Sequence, residues 1–224
     1  MSASASSDPA VRRLGFIRDS IDRAARTARR EPGSVAFIAV TKTHQAEEVT
    51  GLIAAGQRDF GESRVQEAQA KWPSLLAAGS GVRLHLIGRL QSNKAGEAVA
   101  LFDTIHSLDR PSLLDALSAA AARLARLPSV YVQVNIGEEV QKGGVAIAEL
   151  PAFLTLVRAS PLPLAGLMAI PPAGLEPAPY FALLAKLARR HDVSGLSMGM
   201  SGDFETAVML GATAVRVGSA LFQD

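Results

Sequence analysis

From residue 35 onward the chain alternates between two kinds of segment. Short β-branched or apolar runs end at polar or Gly-rich turns, and each turn opens a longer stretch rich in Ala, Leu and charge. Eight runs read as strands: Val35–Val40, Arg58–Gly61, Leu84–Ile87, Thr104–Ser107, Ser129–Asn135, Leu164–Met168, Gly195–Met198 and Ala214–Val217. The stretches between them carry helical periodicity. Gln45–Ala55 sets Val49, Leu52 and Ile53 on one face, and Ala146–Ala159, Ala178–Arg190 and Ser201–Leu210 behave alike. Asp109 ahead of Arg110-Pro111 reads as a helix cap followed by a first-turn proline. One more helix, near Val11–Arg29, precedes the first strand and is expected to pack outside the sheet.

Strand–helix alternation of this kind predicts parallel βαβ units. Eight such units close a (β/α)8 TIM barrel, and that α/β fold is the expected architecture. A doubly wound sheet shares the alternation but usually carries a Gly-rich turn after its first strand. Here that turn reads Thr41-Lys42-Thr43-His44. The 224 residues, 48% of them hydrophobic, suit one barrel near its lower size limit. Residues 1–9 are small and polar and read as a disordered tail, leaving 10–224 as a single domain.

Charge and composition narrow the partners. The formal net charge is +2, so the sequence pI of about 9.2 reflects near-balance rather than a dense basic patch, and no nucleic-acid surface is expected. There is no cysteine, which excludes disulfides, Cys-type zinc sites and a thiolate nucleophile. No apolar run approaches the roughly 18–20 residues of a membrane span, and the first residues lack the apolar core of a signal peptide. A cytoplasmic protein without membrane contact is expected.

In a barrel the chemistry gathers at the C-terminal ends of the strands. Lys42 follows the first strand directly. Near apolar walls it is expected to be partly stripped of water, the condition in which an amine attacks an aldehyde. A solvated lysine capping a strand is the plainer alternative. Arg216-Val217-Gly218-Ser219 ends the last strand. Alternation turns Arg216 away from Val215 and Val217, Gly218 allows close approach to the backbone, and the amides of Gly218 and Ser219 lead into a short helix, a seat for phosphate. The alternative is an Arg216 paired with a core carboxylate and a Gly218 that only makes a turn. Ser201, on the seventh loop, reads as the N-cap of Ser201–Leu210. Asn135 and Met168 stand at the ends of the fifth and sixth strands. Met198 and Met200 read as packing, and Lys94 and Lys142 as loop lysines. His44, His85, His106 and His191 show no metal-ligand spacing, so no metal is assigned.

Several blocks resemble the pyridoxal phosphate homeostasis protein family. They are Thr41-Lys42, Phe60–Glu67, His85–Lys94, Gly166–Pro171, Leu196–Ser201 and Val215–Phe222, which together span nearly the whole chain. The resemblance implies a single barrel similar to the N-terminal domain of bacterial alanine racemase, with pyridoxal 5′-phosphate (PLP) as cofactor. It implies a Schiff base on Lys42, phosphate held by Ser201, Gly218 and Ser219, and Arg216 near the pyridine nitrogen. Asn135 and Met168 would line the pocket, with Lys142 and Lys94 as outlying contacts. An arginine beside the ring nitrogen keeps that nitrogen largely unprotonated and weakens PLP as an electron sink. Two departures stand out. Ser63 occupies a place where the family commonly has Asn, and Gln223 follows Phe222 where it usually has Gly.

The resemblance therefore implies a protein that binds PLP for its intracellular homeostasis, holding and perhaps delivering it to PLP-requiring apoenzymes, with no classical turnover. The alternative is a PLP-dependent amino-acid racemase, which needs acid–base groups on both faces of its substrate. The only tyrosines are Tyr131 and Tyr180, and the second domain that supplies a racemase's opposing tyrosine across a dimer is missing from the chain. A monomer is expected. A third reading, non-covalent binding of a phosphorylated metabolite with Lys42 as a simple charge, stays open.

Overall fold

The computed structural model describes residues 9–77 and 81–222. Eight parallel strands close into a barrel in sequence order. They are β1 (Ala36–Val40), β2 (Asp59–Glu62), β3 (Arg83–Leu86), β4 (Thr104–Leu108), β5 (Ser129–Gln133), β6 (Leu164–Met168), β7 (Leu196–Ser197) and β8 (Ala214–Val217). Closure is made by β1 against β8, with Ala36 opposite Ala214 and Ala39 opposite Val217. Each strand predicted from the sequence is present, with ends displaced by at most two residues.

The helices are α1 (Pro9–Thr27), α2 (Ala46–Ala54), α3 (Val65–Ala77), α4 (Ala95–Leu101), α5 (Pro111–Leu124), α6 (Leu150–Ala159), α7 (Ala178–Arg190), α8 (Phe204–Met209) and α9 (Ser219–Phe222). α1 buries Leu14, Ile17, Ile21, Ala24 and Ala25, spaced three, four and seven apart, against α8 and α9 outside the barrel. Its first residue, Pro9, had been assigned to the tail; the rest of that tail lies outside the described residues. At α5 the residue in the capping position is Arg110, in extended conformation, with Pro111 first in the helix, so Asp109 stands one residue too early to cap it. Asp109 instead pairs with Arg110 at 2.6 Å. α6 begins at Leu150, four residues later than predicted, because Val145 bonds to the β5 segment and delays the turn into helix.

Alternation along the strands separates two interiors. Phe37, Ala39, Phe60, Leu84, Leu86, Ile105, Val130, Val132, Val215 and Val217 face outward into the apolar layer beneath the helices. The opposite positions face the lumen, and that lumen is unusually polar: Asp59, His85, His106, Ser197 and Arg216 are all buried there. Among the described residues no helix is long and apolar enough to cross a membrane, and no cluster of side chains could hold a metal.

Candidate functional site

A cavity of about 550 Å³ opens at the C-terminal ends of the strands. Its floor and walls are Val40, Ile87 and Ile170; its polar groups are Lys42, Ser63, Ser201, Ser219 and Arg216. No carboxylate is part of its described wall. A pocket of this size suits a small ligand, and two cations without an acid select an anionic one.

Lys42 sits in the turn Thr41–His44, closed by the His44 amide donating to the Thr41 carbonyl at 3.1 Å. Thr43 takes φ 69°, a left-handed conformation that a β-branched residue rarely adopts. The turn is held from below. Lys71 donates to the carbonyls of Thr41 (2.7 Å) and His44 (3.0 Å) and pairs with Glu62 at 2.6 Å. The fully buried Glu62 Oε1 also accepts from the Thr41 hydroxyl (2.7 Å) and the Trp72 indole (2.9 Å). His44 stacks on Phe222 at 3.6 Å, tying the turn to α9. Lys42 itself is exposed at the rim. The water-stripping expected of it is therefore not a property of this arrangement.

Opposite Lys42 lies a corner rich in donors. Ser201 does not cap its own helix: α8 starts at Phe204 with Asp203 before it. The Ser201 hydroxyl instead accepts from the amides of Gly218 and Ala220, at 3.2 Å each, at the mouth of β8. The seventh and eighth loops are thus joined at the place where an oxyanion finds hydroxyl and amide donors together. Gly218 serves packing as well: a Cβ there would lie 3.2 Å from Val40 Cβ and 3.3 Å from the Val40 carbonyl. Gly88 is tighter still, since its Cβ would lie 2.1 Å from the Ser63 carbonyl oxygen.

Arg216 points into the lumen at the base of the cavity. Its guanidinium donates to Ser197 Oγ at 2.6 Å and to the Ala169 carbonyl at 3.1 Å. Burial lowers its pKa to about 10, against the pull of Asp203 and Tyr131, so it stays cationic near neutrality. Among the described residues no carboxylate pairs with it directly, in contrast to the core-ion-pair alternative.

Five of the seven residues expected at the site therefore line one cavity: Lys42, Ser201, Arg216, Gly218 and Ser219. Asn135 and Met168 are not in its wall. Asn135 closes its own loop, donating to the Glu139 carbonyl and accepting the Glu139 amide. Met168 is fully buried in the lumen between the outward-packed Leu167 and Ala169. Lys142 pairs with Glu139 and Lys94 with Glu97, both away from the cavity wall. Tyr131 stacks on His106 inside the barrel and Tyr180 lies in α7; neither lines the cavity. Sequence reasoning missed the Glu62–Lys71 clamp and the part played by Ile87 and Ile170. The available signal was a glutamate inside a strand whose neighbours are buried.

The donor set fits a phosphorylated aromatic aldehyde. It has an amine at the rim, hydroxyls and amides in one corner, apolar walls between, and a buried guanidinium at the base.

Comparison with known proteins is consistent with that fit. The family model for the N-terminal domain of alanine racemase matches residues 14–224. The pyridoxal phosphate homeostasis protein of Pseudomonas aeruginosa is 42% identical over 210 residues, covering 90% of each chain. That of Escherichia coli is 38% identical over 221 residues, covering 93% of this chain and 94% of its own. The structure of PipY from Synechococcus elongatus with PLP bound superposes with a TM-score of 0.78 at 40% identity, covering 91% of this chain and 99% of PipY.

Proposed function

Because this chain belongs to the pyridoxal phosphate homeostasis protein family, we propose that it binds PLP in the cavity at the C-terminal mouth of its barrel and serves the homeostasis of that cofactor. The observation that carries the reading is the meeting of Lys42, Arg216 and the Ser201–Gly218–Ser219 corner in one cavity without a carboxylate.

PLP supplies a reactive aldehyde on a phosphorylated pyridine ring. In this reading Lys42 would hold it, its amine being the group that can form a Schiff base with such an aldehyde. Ser201, Ser219 and the Gly218 amide would receive the phosphate, the amide exchanging the Ser201 oxygen it now donates to for a phosphate oxygen. Arg216 faces the ring nitrogen; as a cation that only donates, it does not protonate that nitrogen. Val40, Ile87 and Ile170 would supply the apolar walls for the ring. Asn135 and Met168 act from outside the wall, Met168 by filling the lumen below it. Delivery to PLP-requiring apoenzymes, a cytoplasmic setting and a monomeric state belong to the same proposal. We read the site as one that holds the cofactor rather than as a racemase, which needs acid–base groups on both faces of its substrate; Tyr131 and Tyr180 lie outside the cavity wall.

The test is the visible absorption spectrum of the purified protein with PLP, followed by borohydride reduction and peptide mapping. A band that disappears on reduction, with the adduct on Lys42, is expected. An adduct scattered over surface lysines, or no band at all, would overturn the proposal.

A further inference from the structure

Five polar side chains from five different strands meet in the barrel lumen and form one continuous chain of hydrogen bonds. Arg216 donates to Ser197 Oγ at 2.6 Å. Ser197 Oγ lies 2.8 Å from His106 Nδ1, His106 Nε2 lies 2.9 Å from His85 Nδ1, and His85 Nε2 lies 3.0 Å from Asp59 Oδ1. Asp59 is held in turn by Arg83, at 2.8 and 2.7 Å. His106 and Ser197 are fully buried, Arg216 is 4% exposed and His85 is 8% exposed.

The two ends dictate the direction of every link. A guanidinium can only donate, and an ionised carboxylate can only accept. Ser197 therefore takes its hydrogen bond from Arg216 and gives its own hydrogen to His106 Nδ1. His106 then carries its proton on Nε2 and gives it to His85 Nδ1. His85 likewise carries its proton on Nε2 and gives it to Asp59. With both imidazoles neutral, this is the single arrangement in which every donor and acceptor of the chain is matched. An unmatched buried group would cost more than the bond itself contributes.

We propose that His106 and Ser197 are positioning residues that act through Arg216: the chain fixes the guanidinium at the base of the cavity and links it to the opposite end of the barrel. This rests on the reading that PLP binds there with its ring toward Arg216. The lower end of the chain is not sealed. Asp59 and Arg83 line a second cavity, of about 540 Å³, with Arg18, Asp22, Gln57 and Thr213, at the N-terminal face of the barrel. A third proton on the histidine pair places a hydrogen on His106 Nδ1, because His85 Nε2 already gives one to Asp59 and the two rings share one between them. Ser197 then accepts from both His106 and Arg216, and its own hydrogen loses its partner. Protonation of the pair is thereby felt by Arg216 at the base of the cavity, through Ser197. The charged and titratable groups around the pair are Asp59, Arg83, Tyr131 and Arg216, from β2, β3, β5 and β8, with Arg18 and Asp22 beside Asp59 and Arg83 at the second cavity and Asp103 acting on Arg83.

Two measurements test the proposal. Long-range proton–nitrogen NMR on the PLP-free protein at pH 7.5 reports the tautomers directly. His85 and His106 are both expected as the neutral Nε2–H form, and an Nδ1–H form at His106 would overturn the chain whatever the cofactor does. The second measurement follows the absorbance of bound PLP against pH. Ser197→Ala and His106→Phe are expected to move its midpoint by about one pH unit, the scale of one charge-assisted hydrogen bond. His106→Phe keeps the aromatic stack on Tyr131, and Ser197→Thr, which restores the hydroxyl, is expected to bring the midpoint back. Unmoved midpoints in folded variants would refute the positioning role. A wild-type protein that shows no PLP band while its tautomers are as expected would instead remove the cofactor reading, and the role of the chain toward it.

Discussion

At the scale of single residues, Lys42 and Gly88 show two different kinds of constraint. Lys42 is exposed and bears on chemistry alone. Lys42→Arg keeps the charge but presents no amine that forms a stable Schiff base. It is expected to abolish the borohydride-trappable band while changing stability by less than about 0.5 kcal/mol, as surface substitutions do; spectra and thermal melts of the same sample check both halves. Gly88 bears on shape. An added methyl would collide with the Ser63 backbone at 2.1 Å, where nothing flexible can yield. Gly88→Ala is expected to destabilise by about 1–3 kcal/mol, the usual cost of overpacking, and to weaken PLP uptake because the Ser63 loop is pushed into the cavity. A denaturant titration with a parallel PLP titration would show either effect missing. Lys42, Arg216 and Gly218 were legible in the sequence because each stands at the C-terminal end of a strand, Arg216 within the last two residues of β8 and the others just beyond β1 and β8. The desolvation expected of Lys42 was not, since exposure depends on what the neighbouring loops do.

Between elements, the Lys42 turn depends on a buried pair that spans β2 and α3. Glu62 is fully buried and Lys71 nearly so, and together they satisfy two turn carbonyls and the Thr41 hydroxyl. Among the described residues Glu62 Oε2 has no hydrogen-bond partner, so the carboxylate leans on Lys71 for compensation. Lys71→Met would leave that charge alone inside the protein. A loss of about 3–5 kcal/mol is expected, as for other broken buried pairs. Lys71→Met combined with Glu62→Gln is expected to recover part of it, because the stranded charge is gone; equal stability of the single and double variants, measured by denaturant unfolding, would contradict this. Ser201 teaches the complementary lesson. Its sequence context is that of a local helix cap, yet its hydroxyl serves the amides of Gly218 and Ala220 on another loop. Local propensity places the serine at a turn, and the spatial neighbour chooses its partner.

For the whole molecule, the polar lumen makes stability depend on pH. Burial, aided by repulsion from His85 and Arg216, holds the His106 pKa well below its usual 6.5. The unfolded chain therefore binds a proton at this site in a range where the folded chain does not. Stability rises with pH up to about 6.5 and falls as the pH drops below it, at up to about 1.4 kcal/mol per pH unit for one proton. Asp59 acts in the same sense at lower pH. Burial alone would raise its pKa, but hydrogen bonds from His85 and Arg83 outweigh that and lower it, so the stability it contributes is lost as the pH falls through the carboxylate range. Melting temperatures from pH 7.5 to 5 should decline, and His106→Phe should flatten the upper part of that decline. A wild-type melting temperature constant across the range would contradict the neutral buried imidazole.

The barrel, its eight strands and the rim lysine could be derived from the amino-acid order alone, because periodicity, turn residues and strand ends are properties of neighbours along the chain. Family resemblance added the cofactor for the same reason, since its motifs are contiguous blocks. The lumen chain had no such signature. Asp59, His85, His106, Ser197 and Arg216 come from strands far apart in sequence, and read singly each is an isolated polar residue in an apolar run. Pairing of neighbouring strands joins Asp59 to His85 and His106, and Ser197 to Arg216, but only closure of the barrel brings His106 within hydrogen-bond distance of Ser197 across the lumen, where an unmatched donor is costly enough to force a single direction on every proton.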